Sequence, residues 1–255
     1  MKVSIITVCF NSAKTIEHTI QSVINQNCSN IEYIIIDGAS SDNTLSIIER
    51  YNDNIDLVIS EKDNGIYDAL NKGIENSSGD IIGFLHADDF FKNNNVIQNI
   101  LDSFITNNNI HMLYGNIQYV DQSKSEKVIR YWRAGEFFKG IFKWGWMPPH
   151  TSFFLLKSCY QKYGNYLLNL GTSADYELML RMFELNQLKS HYLDEVLTCM
   201  RIGGASNTSL KNRWLANRND KKSWQINQLK PFWFTFILKP LRKVPQFLKL
   251  RSNMS

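Results

Sequence analysis

The first 85 residues alternate short runs of β-branched and other apolar residues with stretches of helical periodicity, and this alternation restricts the fold most. Such short apolar runs are typical of buried strands. Four strands are predicted, at 3–9 (VSIITVC), 31–37 (IEYIIID), 56–60 (DLVIS) and 80–85 (DIIGFL). Strands that alternate with helices at this spacing predict a parallel sheet built from right-handed βαβ units.

Helical patterns connect these strands. A first helix is predicted near 12–26, with its isoleucines and Val23 on one face. Asp42 is a suitable N-cap for a second helix, because a short polar side chain can accept a hydrogen bond from the first turn. A third helix is predicted over 66–76, where Ile66, Leu70 and Ile74 recur at helical spacing.

The second half of the chain is less regular. Residues 110–133 contain two strand-like runs, HMLYG and NIQYV, which could pair as a hairpin. An aromatic segment follows at 137–149. A helix is predicted near 175–186, with apolar residues facing inward.

Polar residues follow the predicted parallel strands. Asn11 and Asp37 lie at the ends of the first two, and His86-Ala87-Asp88-Asp89 follows the fourth. Because ligands of parallel sheets bind beyond the carboxyl ends of the strands, these residues should converge on one crevice. A divalent cation could bridge such an acid to a diphosphate and neutralise a pyrophosphate leaving group. The alternative is that the two aspartates cap the next helix.

Three sequence blocks in this order are similar to glycosyltransferase family 2, whose catalytic domain has the GT-A fold. The blocks are VSIITVCFNSAKTIEHTIQSVINQ, IEYIIIDGASSDNT and GDIIGFLHADD, and together they cover residues 1–90. The segment DNGIYDALNKGI at 63–74 resembles bacterial polysaccharide members of the same family. The fold class expected is therefore α/β, with a GT-A-like, mostly parallel sheet flanked by helices.

The resemblance implies where a nucleotide-sugar donor and its metal ion would bind. Asp88, with His86, is implied as the ligand of Mn²⁺ or Mg²⁺. The family often has Asp where this chain has His86, and Arg where it has Leu70. Donor-binding residues are expected at Thr7, Val8, Asn11, Asp37, Asp63, Asn71, Lys72, Ala87, Asp89 and Arg201. For Arg201, pairing with an acid is the alternative to contact with phosphate.

The segment Ser173-Ala174-Asp175-Tyr176-Glu177 resembles the family's catalytic-base motif. The resemblance implies that Asp175 is the general base of an inverting transfer, which needs one carboxylate to take the proton of the acceptor hydroxyl. The alternative is that Asp175 caps its own helix. Pro148-Pro149-His150-Thr151 is a weaker candidate for the acceptor pocket, and His150 could equally be an ordinary hydrogen-bonded histidine.

The basic charge of the chain is concentrated near its end. Residues 211–251 hold eleven Lys and Arg against the single acid Asp220, whereas the remaining residues carry a net charge of −6. Phe and Trp alternate with these bases, a composition that suits the interface of an anionic bilayer. The alternative is a basic helix packed on the core. Nucleic acid is not expected as a partner, because no recognition fold accompanies the bases.

Several classes of protein are excluded by composition and spacing. The four cysteines form no CxxC pair and no dense pattern, which argues against a disulfide or zinc scaffold. No stretch reaches the roughly 18 apolar residues that a membrane span needs, and no signal-peptide pattern is found. The expected location is the cytoplasm, peripherally on the inner face of the cytoplasmic membrane. The expected organisation is a catalytic domain at 1–210 (donor binding 1–90, acceptor side and base 91–210) and an extension at 211–255.

The function expected is an inverting, metal-dependent transfer of a hexose, Gal or Glc, from a UDP-sugar. The acceptor expected is a lipid-diphosphate-linked oligosaccharide of surface-polysaccharide (O-antigen or capsule) synthesis. An alternative is a non-catalytic, membrane-associated partner protein with the same fold. A sugar nucleotidyltransferase would need a glycine-rich phosphate loop with a lysine, and residues 9–15 provide none.

Overall fold

The computed structural model describes residues 1–202 and 210–248, and nine strands in these ranges form one sheet. The strands are β1 Val3–Cys9, β2 Ile31–Asp37, β3 Leu57–Ser60, β4 Ile81–Phe84, β5 Asp89–Phe91, β6 Met112–Val120, β7 Val128–Trp132, β8 Phe153–Leu156 and β9 Ser190–Arg201. Their order is β3-β2-β1-β4-β8-β6-β9-β5, with β7 beside the end of β6.

The first four strands are parallel, as their alternation with helices predicts. β1 pairs with both β2 and β4, and β2 also pairs with β3. Cys9 lies opposite Asp37, and Asp37 opposite Ser60, so these three strands end together. The loops after β1, β2 and β3 therefore begin at one edge of the sheet, which confirms the predicted arrangement of strand ends.

The rest of the sheet is mixed. β8 is antiparallel to β4 and β6, β9 is parallel to β6, and β5 is antiparallel to β9. The predicted hairpin is wrong in detail, because HMLYG and NIQYV form the single strand β6. Its antiparallel partner in the hairpin is β7, from the later part of the same region.

Helices cover both faces of the sheet. They are α1 Ile16–Ile24, α2 Thr44–Glu49, α3 Ile66–Asn76, α4 Val96–Thr106, α5 Lys157–Tyr163, α6 Ala174–Leu180, α7 Leu210–Ile226, α8 Thr235–Leu241 and α9 Pro245–Leu248. A π-helical turn, Arg181–Leu185, continues α6. The core on one face contains residues of α3, α6 and α7, and the core on the other contains residues of α1, α2 and α4.

Capping differs from the sequence prediction at two helices. Asn43 rather than Asp42 occupies the N-cap position of α2, and the Asp42 carboxylate accepts hydrogen bonds from the Thr44 and Ala13 amides at 3.0 and 3.1 Å. In α6 the N-cap position belongs to Ser173, so Asp175 lies inside the first turn. Asp175 is therefore not the N-cap of its helix.

The C-terminal segment packs on the body of the protein. Trp224 of α7 is buried, and its indole N–H donates to the Tyr176 hydroxyl at 2.8 Å. Lys239 of α8 pairs with Asp220 of α7 at 2.7 Å. The packed-helix alternative therefore describes α7. None of the helices in residues 1–202 and 210–248 is long and apolar enough to cross a bilayer.

At the edge opposite the strand ends, Glu32 joins the amino ends of β1, β2 and β4. Its carboxylate accepts hydrogen bonds from the Ser4 and Ser78 hydroxyls and from the Ser78 amide at 2.7 Å, and Lys2 lies 3.5 Å away. Burial alone would raise the pKa of Glu32, but these hydrogen bonds and Lys2 outweigh it and lower the pKa to about 2.

We predict that Glu32→Gln lowers the free energy of unfolding by about 2–3 kcal/mol at neutral pH. Since the native pKa lies below the ordinary value of 4.5, this stabilisation is complete above that value and is lost as the pH falls towards 2. Urea melts of both proteins across this pH range would measure the difference. Glu49→Gln, on the exposed side of α2, should change stability by less than about 0.5 kcal/mol. A Glu32 effect that is constant with pH would contradict the prediction.

Candidate active site

The loops after β1 and β2 are joined through Ser40. The Asp37 carboxylate is buried and accepts hydrogen bonds from the Ser40 amide at 2.9 Å and the Ser60 hydroxyl at 2.7 Å. The Ser40 hydroxyl in turn accepts the Asn11 amide at 2.8 Å. Asn11 has φ 49°, in the left-handed region that asparagine tolerates better than most residues. Two predicted donor-binding residues, Asn11 and Asp37, are thus brought together.

Asp63 reaches the same region from the loop after β3. A Cβ added to Gly38 would lie 2.6 Å from the Asp63 carboxylate, so glycine leaves room for this close approach. Lys72 of α3 lies 2.7 Å from Glu61 and 3.9 Å from Asp68. Its ammonium group therefore already has acidic partners.

Thr7 and Val8 contribute their side chains to the interior. Thr7 is fully buried, 3.2 Å from the Tyr33 hydroxyl, and Val8 packs in the core that contains α3. Leu70, which stands where the family often has Arg, is buried in the same core. An apolar residue at this position is consistent with its surroundings, because a buried arginine would need a partner for its charge.

Residues 86–89 follow β4 and lead into β5. Asp88 and Asp89 therefore precede a strand, so the alternative that they cap a helix does not hold. Thr19 of α1 donates to the carbonyls of Ala87 and Asp89 at 2.9 and 2.7 Å, and these bonds fix the turn. The Asp88 carboxylate is partly exposed and has no hydrogen-bond partner among the described residues.

Asp89 differs from its neighbour in burial. Its side chain is buried, and neither carboxylate oxygen has a hydrogen-bond partner of normal geometry among the described residues. Burial, assisted by the charge of Asp88, raises the pKa of Asp89 well above its ordinary value despite the nearby Arg201. Burial thus favours the neutral form of Asp89, and Asp88 is the accessible acid of the pair.

Arg201, at the end of β9, contacts this turn directly. Its guanidinium donates to the Asp88 carbonyl at 2.6 Å, is hydrogen-bonded to His18 and lies 5.0 Å from the centre of the Phe90 ring. The structure thus places Arg201 beside the predicted diphosphate site. Residues 203–209, which follow soon after Arg201 in the chain, lie outside the described residues.

Two histidines connect residues 86–89 with Asp175. The ring centroids of His86 and His150 are 5.5 Å apart, and His150 Nδ1 lies 3.6 Å from an Asp175 carboxylate oxygen. Burial, and then the proximity of His150, lowers the pKa of His86 to about 3, so His86 is neutral near pH 7. The Asp175 side chain is 16% exposed. A predicted metal ligand and the predicted base therefore lie close together, with His150 between them.

Tyr67 and Tyr166 lie near Asp175, and the sequence analysis did not predict them. Their rings are 5.3 Å apart. Burial raises the pKa of the Tyr67 phenol well above its ordinary value, and the adjacent negative charge of Asp175 raises it further. Tyr67 lies within the segment 63–74, but nothing in that segment indicates its proximity to Asp175, which depends on long-range packing.

A buried ion pair stabilises α6, the helix that carries Asp175. Glu177 is fully buried and binds Arg181 through two hydrogen bonds of 3.0 and 2.9 Å. Arg181 also donates to the carbonyls of Gly164 and Asn165, each at 2.8 Å. Asn227, after α7, donates to Glu177 at 3.0 Å. The i,i+4 spacing of Glu177 and Arg181 is the sequence signal that could have revealed this pair.

Asn71, a predicted donor-binding residue, has both groups of its amide bonded to Tyr166. Its N–H donates to the Tyr166 carbonyl and its oxygen accepts the Tyr166 amide, each at 3.0 Å. Asn71 therefore fixes the loop that follows α5 against α3.

The residues present fit a cation that a bound diphosphate would help to hold. No cluster of three or more His, Cys, Asp or Glu that could bind a metal ion occurs in the described part of the chain. Mg²⁺ bound to a protein often has only one or two carboxylate ligands, and substrate phosphates supply further ligands. Within the described residues the Asp88 carboxylate has no hydrogen-bond partner, and His86 is neutral, the state in which imidazole binds metal.

Comparison with known proteins now assigns the chain to a family. Residues 4–157, more than half of the 255, match the sequence model of Glycosyl transferase family 2. The chain belongs to this family. It is therefore a glycosyltransferase, and the resemblance of the three sequence blocks is confirmed.

Individual relatives agree with this assignment. An uncharacterized glycosyltransferase of Mycobacterium tuberculosis is 31% identical over 186 residues, 70% of this chain and 68% of the relative. The UDP-Glc:α-D-GlcNAc-diphosphoundecaprenol β-1,3-glucosyltransferase WfgD of Escherichia coli is 34% identical over 122 residues, 48% of this chain and 47% of that enzyme.

A solved structure shares the fold. The mannosyltransferase PcManGT of Pyrobaculum calidifontis, in complex with GDP-Man and Mn²⁺, superposes with a TM-score of 0.64 at 15% identity, covering 93% of this chain and 68% of that chain. The GT-A-type α/β fold expected from the sequence is therefore confirmed, with its parallel strands concentrated in the first half of the chain.

We predict that Asn71→Ala lowers the free energy of unfolding by about 2–3 kcal/mol, since two backbone groups of Tyr166 lose their partners. Thermal and urea melts would measure this loss. Asn76→Ala, at the exposed end of the same helix, is the matched control and should cost less than about 0.5 kcal/mol. If Asn71→Ala is as stable as the control but binds UDP more weakly, Asn71 contacts the donor instead.

Proposed function

We propose that the protein transfers a hexose from a UDP-sugar to a lipid-diphosphate-linked saccharide, with inversion at the anomeric carbon. Asp175 is the general base, and Asp88 with His86 holds the divalent cation that accompanies the donor diphosphate. The proposal depends chiefly on the arrangement His86–His150–Asp175, in which the ring centroids are 5.5 Å apart and the His150–Asp175 contact is 3.6 Å. This arrangement brings the end of β4 and the start of α6 to one reaction centre.

In the proposed reaction the acceptor hydroxyl attacks the anomeric carbon from the face opposite the diphosphate. Asp175 takes the proton of this hydroxyl as the new C–O bond forms. The bond between the anomeric carbon and the phosphate oxygen breaks, and UDP leaves with that electron pair. A single displacement inverts the anomeric configuration, so an α-linked donor gives a β-linked product. No nucleophile from the enzyme is required.

Several side chains are placed to assist departure of the diphosphate. A divalent cation would neutralise charge that develops on this leaving group. Arg201 provides a fixed positive charge beside Asp88, because it is hydrogen-bonded to the Asp88 carbonyl and to His18. Burial favours the neutral form of Asp89, which limits the negative charge beside the diphosphate. Because His86 is also neutral, Asp88 would be the metal ligand that provides negative charge.

The donor and acceptor classes are supported by the similarity to WfgD. The name of that relative specifies UDP-Glc as donor and a sugar linked to diphosphoundecaprenol as acceptor. We therefore favour UDP-Glc or UDP-Gal, and an acceptor of surface-polysaccharide assembly such as O-antigen or capsule. An acceptor anchored in lipid also requires the enzyme to work at a membrane, peripherally on its cytoplasmic side.

The second candidate is a non-catalytic protein of the same fold that joins a polysaccharide assembly complex. The enzyme is favoured because Asp175 lies near the turn that carries Asp88, to which it is connected through His150 and His86. Purified protein should be incubated with a panel of nucleotide sugars, Mn²⁺ or Mg²⁺, and a lipid-diphosphate GlcNAc or GalNAc analogue. Release of nucleotide together with a longer saccharide supports transfer. Absence of both with every donor supports the non-catalytic protein.

We predict that Asp175→Asn lowers kcat by about 100-fold or more, because asparagine cannot accept a proton. The affinity for UDP should remain nearly unchanged, since the substitution preserves the shape of the side chain. Steady-state kinetics and calorimetric titration with UDP would measure the two quantities. Asp102→Asn, on the exposed side of α4, is the matched control. An active Asp175 variant, or one that loses only donor affinity, would exclude Asp175 as the base.

We predict that Asp88→Ala lowers turnover by about 100-fold or more and removes the stimulation by Mn²⁺ or Mg²⁺. Titration of UDP with and without the metal ion gives a second readout, because the metal should strengthen binding to the wild type only. Asp89→Asn should retain the metal dependence, since the Asp89 carboxylate is buried whereas that of Asp88 is partly exposed. Metal-dependent UDP binding by Asp88→Ala would contradict the assignment.

A further inference from the structure

An aromatic cluster lies on the surface where the C-terminal segment meets the body. Trp144 contacts Phe232 and Phe234, with ring centroids 5.7 and 5.5 Å apart, and Trp233 lies 5.4 Å from Phe234. The Trp233 side chain is 84% exposed, and Trp144 is also exposed. We call these four residues the aromatic corner. So large an exposed aromatic surface is costly in water and marks an interaction site.

The apolar surface continues along α8. Ile237, Leu241 and Val244 are each 55% exposed. They are spaced by four and three residues, which places them on one side of the helix and of the turn after it. We call these three residues the apolar wall. The aromatic corner and the apolar wall both belong to residues 231–248, apart from Trp144.

On its other side, α8 borders a cationic pocket of about 300 Å³ between β7 and the C-terminal helices. The pocket is lined by aromatic residues and by four bases, Arg133, Lys239, Arg242 and Lys243, and no Asp or Glu lines it. Glycine at 145 allows this docking, since a Cβ there would collide with the backbone of Lys239. The pocket and the apolar wall are therefore opposite sides of one short helical segment.

The bases of the pocket differ in their partners. Arg133 is paired with Asp194, and Lys239 lies 2.7 Å from Asp220, two acids that do not line the pocket. No acid of the described chain pairs with Arg242, and burial lowers the pKa of its guanidinium. A cation that lines a pocket and has no acidic partner among the described residues is suited to an anionic ligand, most of all a phosphate.

We infer that the cationic pocket binds the phosphate group of a membrane lipid while the aromatic corner and the apolar wall rest in the interface of an anionic bilayer. The inference rests on the proposed function and specifies how its lipid-linked acceptor is held. A bilayer fits better than a protein partner for two reasons. Trp and Phe beside Lys and Arg are the residues of interfacial anchors, and residues 221–248 contain six bases and no acid.

The position of the pocket connects lipid binding with the reaction centre. Lys239, which lines the pocket, has its ammonium group 3.7 Å from the centre of the Tyr176 ring. Tyr176 directly follows Asp175. Met147, which also lines the pocket, precedes His150 by three residues. A lipid phosphate in the pocket would therefore lie beside the elements that carry the proposed base.

The apolar part is tested with the full-length protein and vesicles, without nucleotide sugar. We expect the double variant Trp233→Ser, Ile237→Ser to bind phosphatidylcholine–phosphatidylglycerol vesicles about tenfold or more weakly than the wild type in co-sedimentation. Ile105→Ser is the matched control, because Ile105 on α4 is also 55% exposed but packs on the other face of the sheet. Thermal melts establish that all variants are folded. Equal binding by the double variant and the control would overturn the inference.

The cationic part is tested with phosphatidylcholine vesicles that contain a polyprenyl phosphate. We expect Arg242→Gln to weaken binding to these vesicles about fivefold, and the Arg242-dependent part should weaken further with salt. Lys222→Gln, an exposed base of α7 outside the pocket, is the charge-matched control. An equal effect of both substitutions would leave only general charge attraction and overturn the phosphate site. Displacement of the protein by soluble pyrophosphate as effectively as by lipid would also overturn the assignment to a membrane lipid.

These measurements separate the failure of this inference from the failure of the proposed function. Vesicle binding that depends on Ile237 and Arg242, without any sugar transfer, supports the lipid site and contradicts the enzyme activity. Transfer to a water-soluble acceptor without vesicle binding supports the activity and overturns the lipid site.

Discussion

The antiparallel pairing of β4 with β8 is the constraint on which the proposed reaction centre depends. Gly83 of β4 lies opposite Phe154 of β8, so the residues that follow β4 face those that precede β8. This register brings His86 to His150, although 64 positions separate them in the chain. A Cβ on Gly83 would collide with the Phe154 ring, and glycine is therefore part of what permits the pairing. Without this pairing, residues 86–89 and His150, which contacts Asp175, would not lie together.

Burial then determines which groups in this cleft carry charge. Burial raises the pKa of Asp89 well above its ordinary value and so favours its neutral form, and it lowers the pKa of His86 to about 3, so that His86 is neutral near pH 7. Asp88 and Asp175 are both partly exposed carboxylates, and Asp175 lies beside His150. Two carboxylates placed apart can hold different tasks, one beside a diphosphate and the other beside an acceptor hydroxyl.

The sequence predicts the nucleotide half of the fold well because strand and helix periodicities there are short-range signals. The third helix, Ile66–Asn76, and the second strand, Ile31–Asp37, have the bounds that their residues indicate. The hairpin was misplaced because the two runs HMLYG and NIQYV, each of strand length, belong to one continuous strand, β6. The Asn71–Tyr166 bonds were not predictable, since they join α3 to a loop that lies 95 residues later in the chain, and the contact of Tyr67 with Asp175 is also long-range. Charge alone also did not reveal that α7 is part of the core.

The C-terminal segment and the base helix behave as one packed unit. Trp224 and Asn227 bond to Tyr176 and Glu177, the two residues that follow Asp175. Lys239 contacts the Tyr176 ring and pairs with Asp220, which ties α8 to α7. Because buried polar groups are costly to leave unpaired, a shift of α8 would disturb the start of α6. A bilayer that holds α8 would therefore also restrain Asp175, so that attachment to the membrane and alignment of the proposed base depend on the same set of contacts.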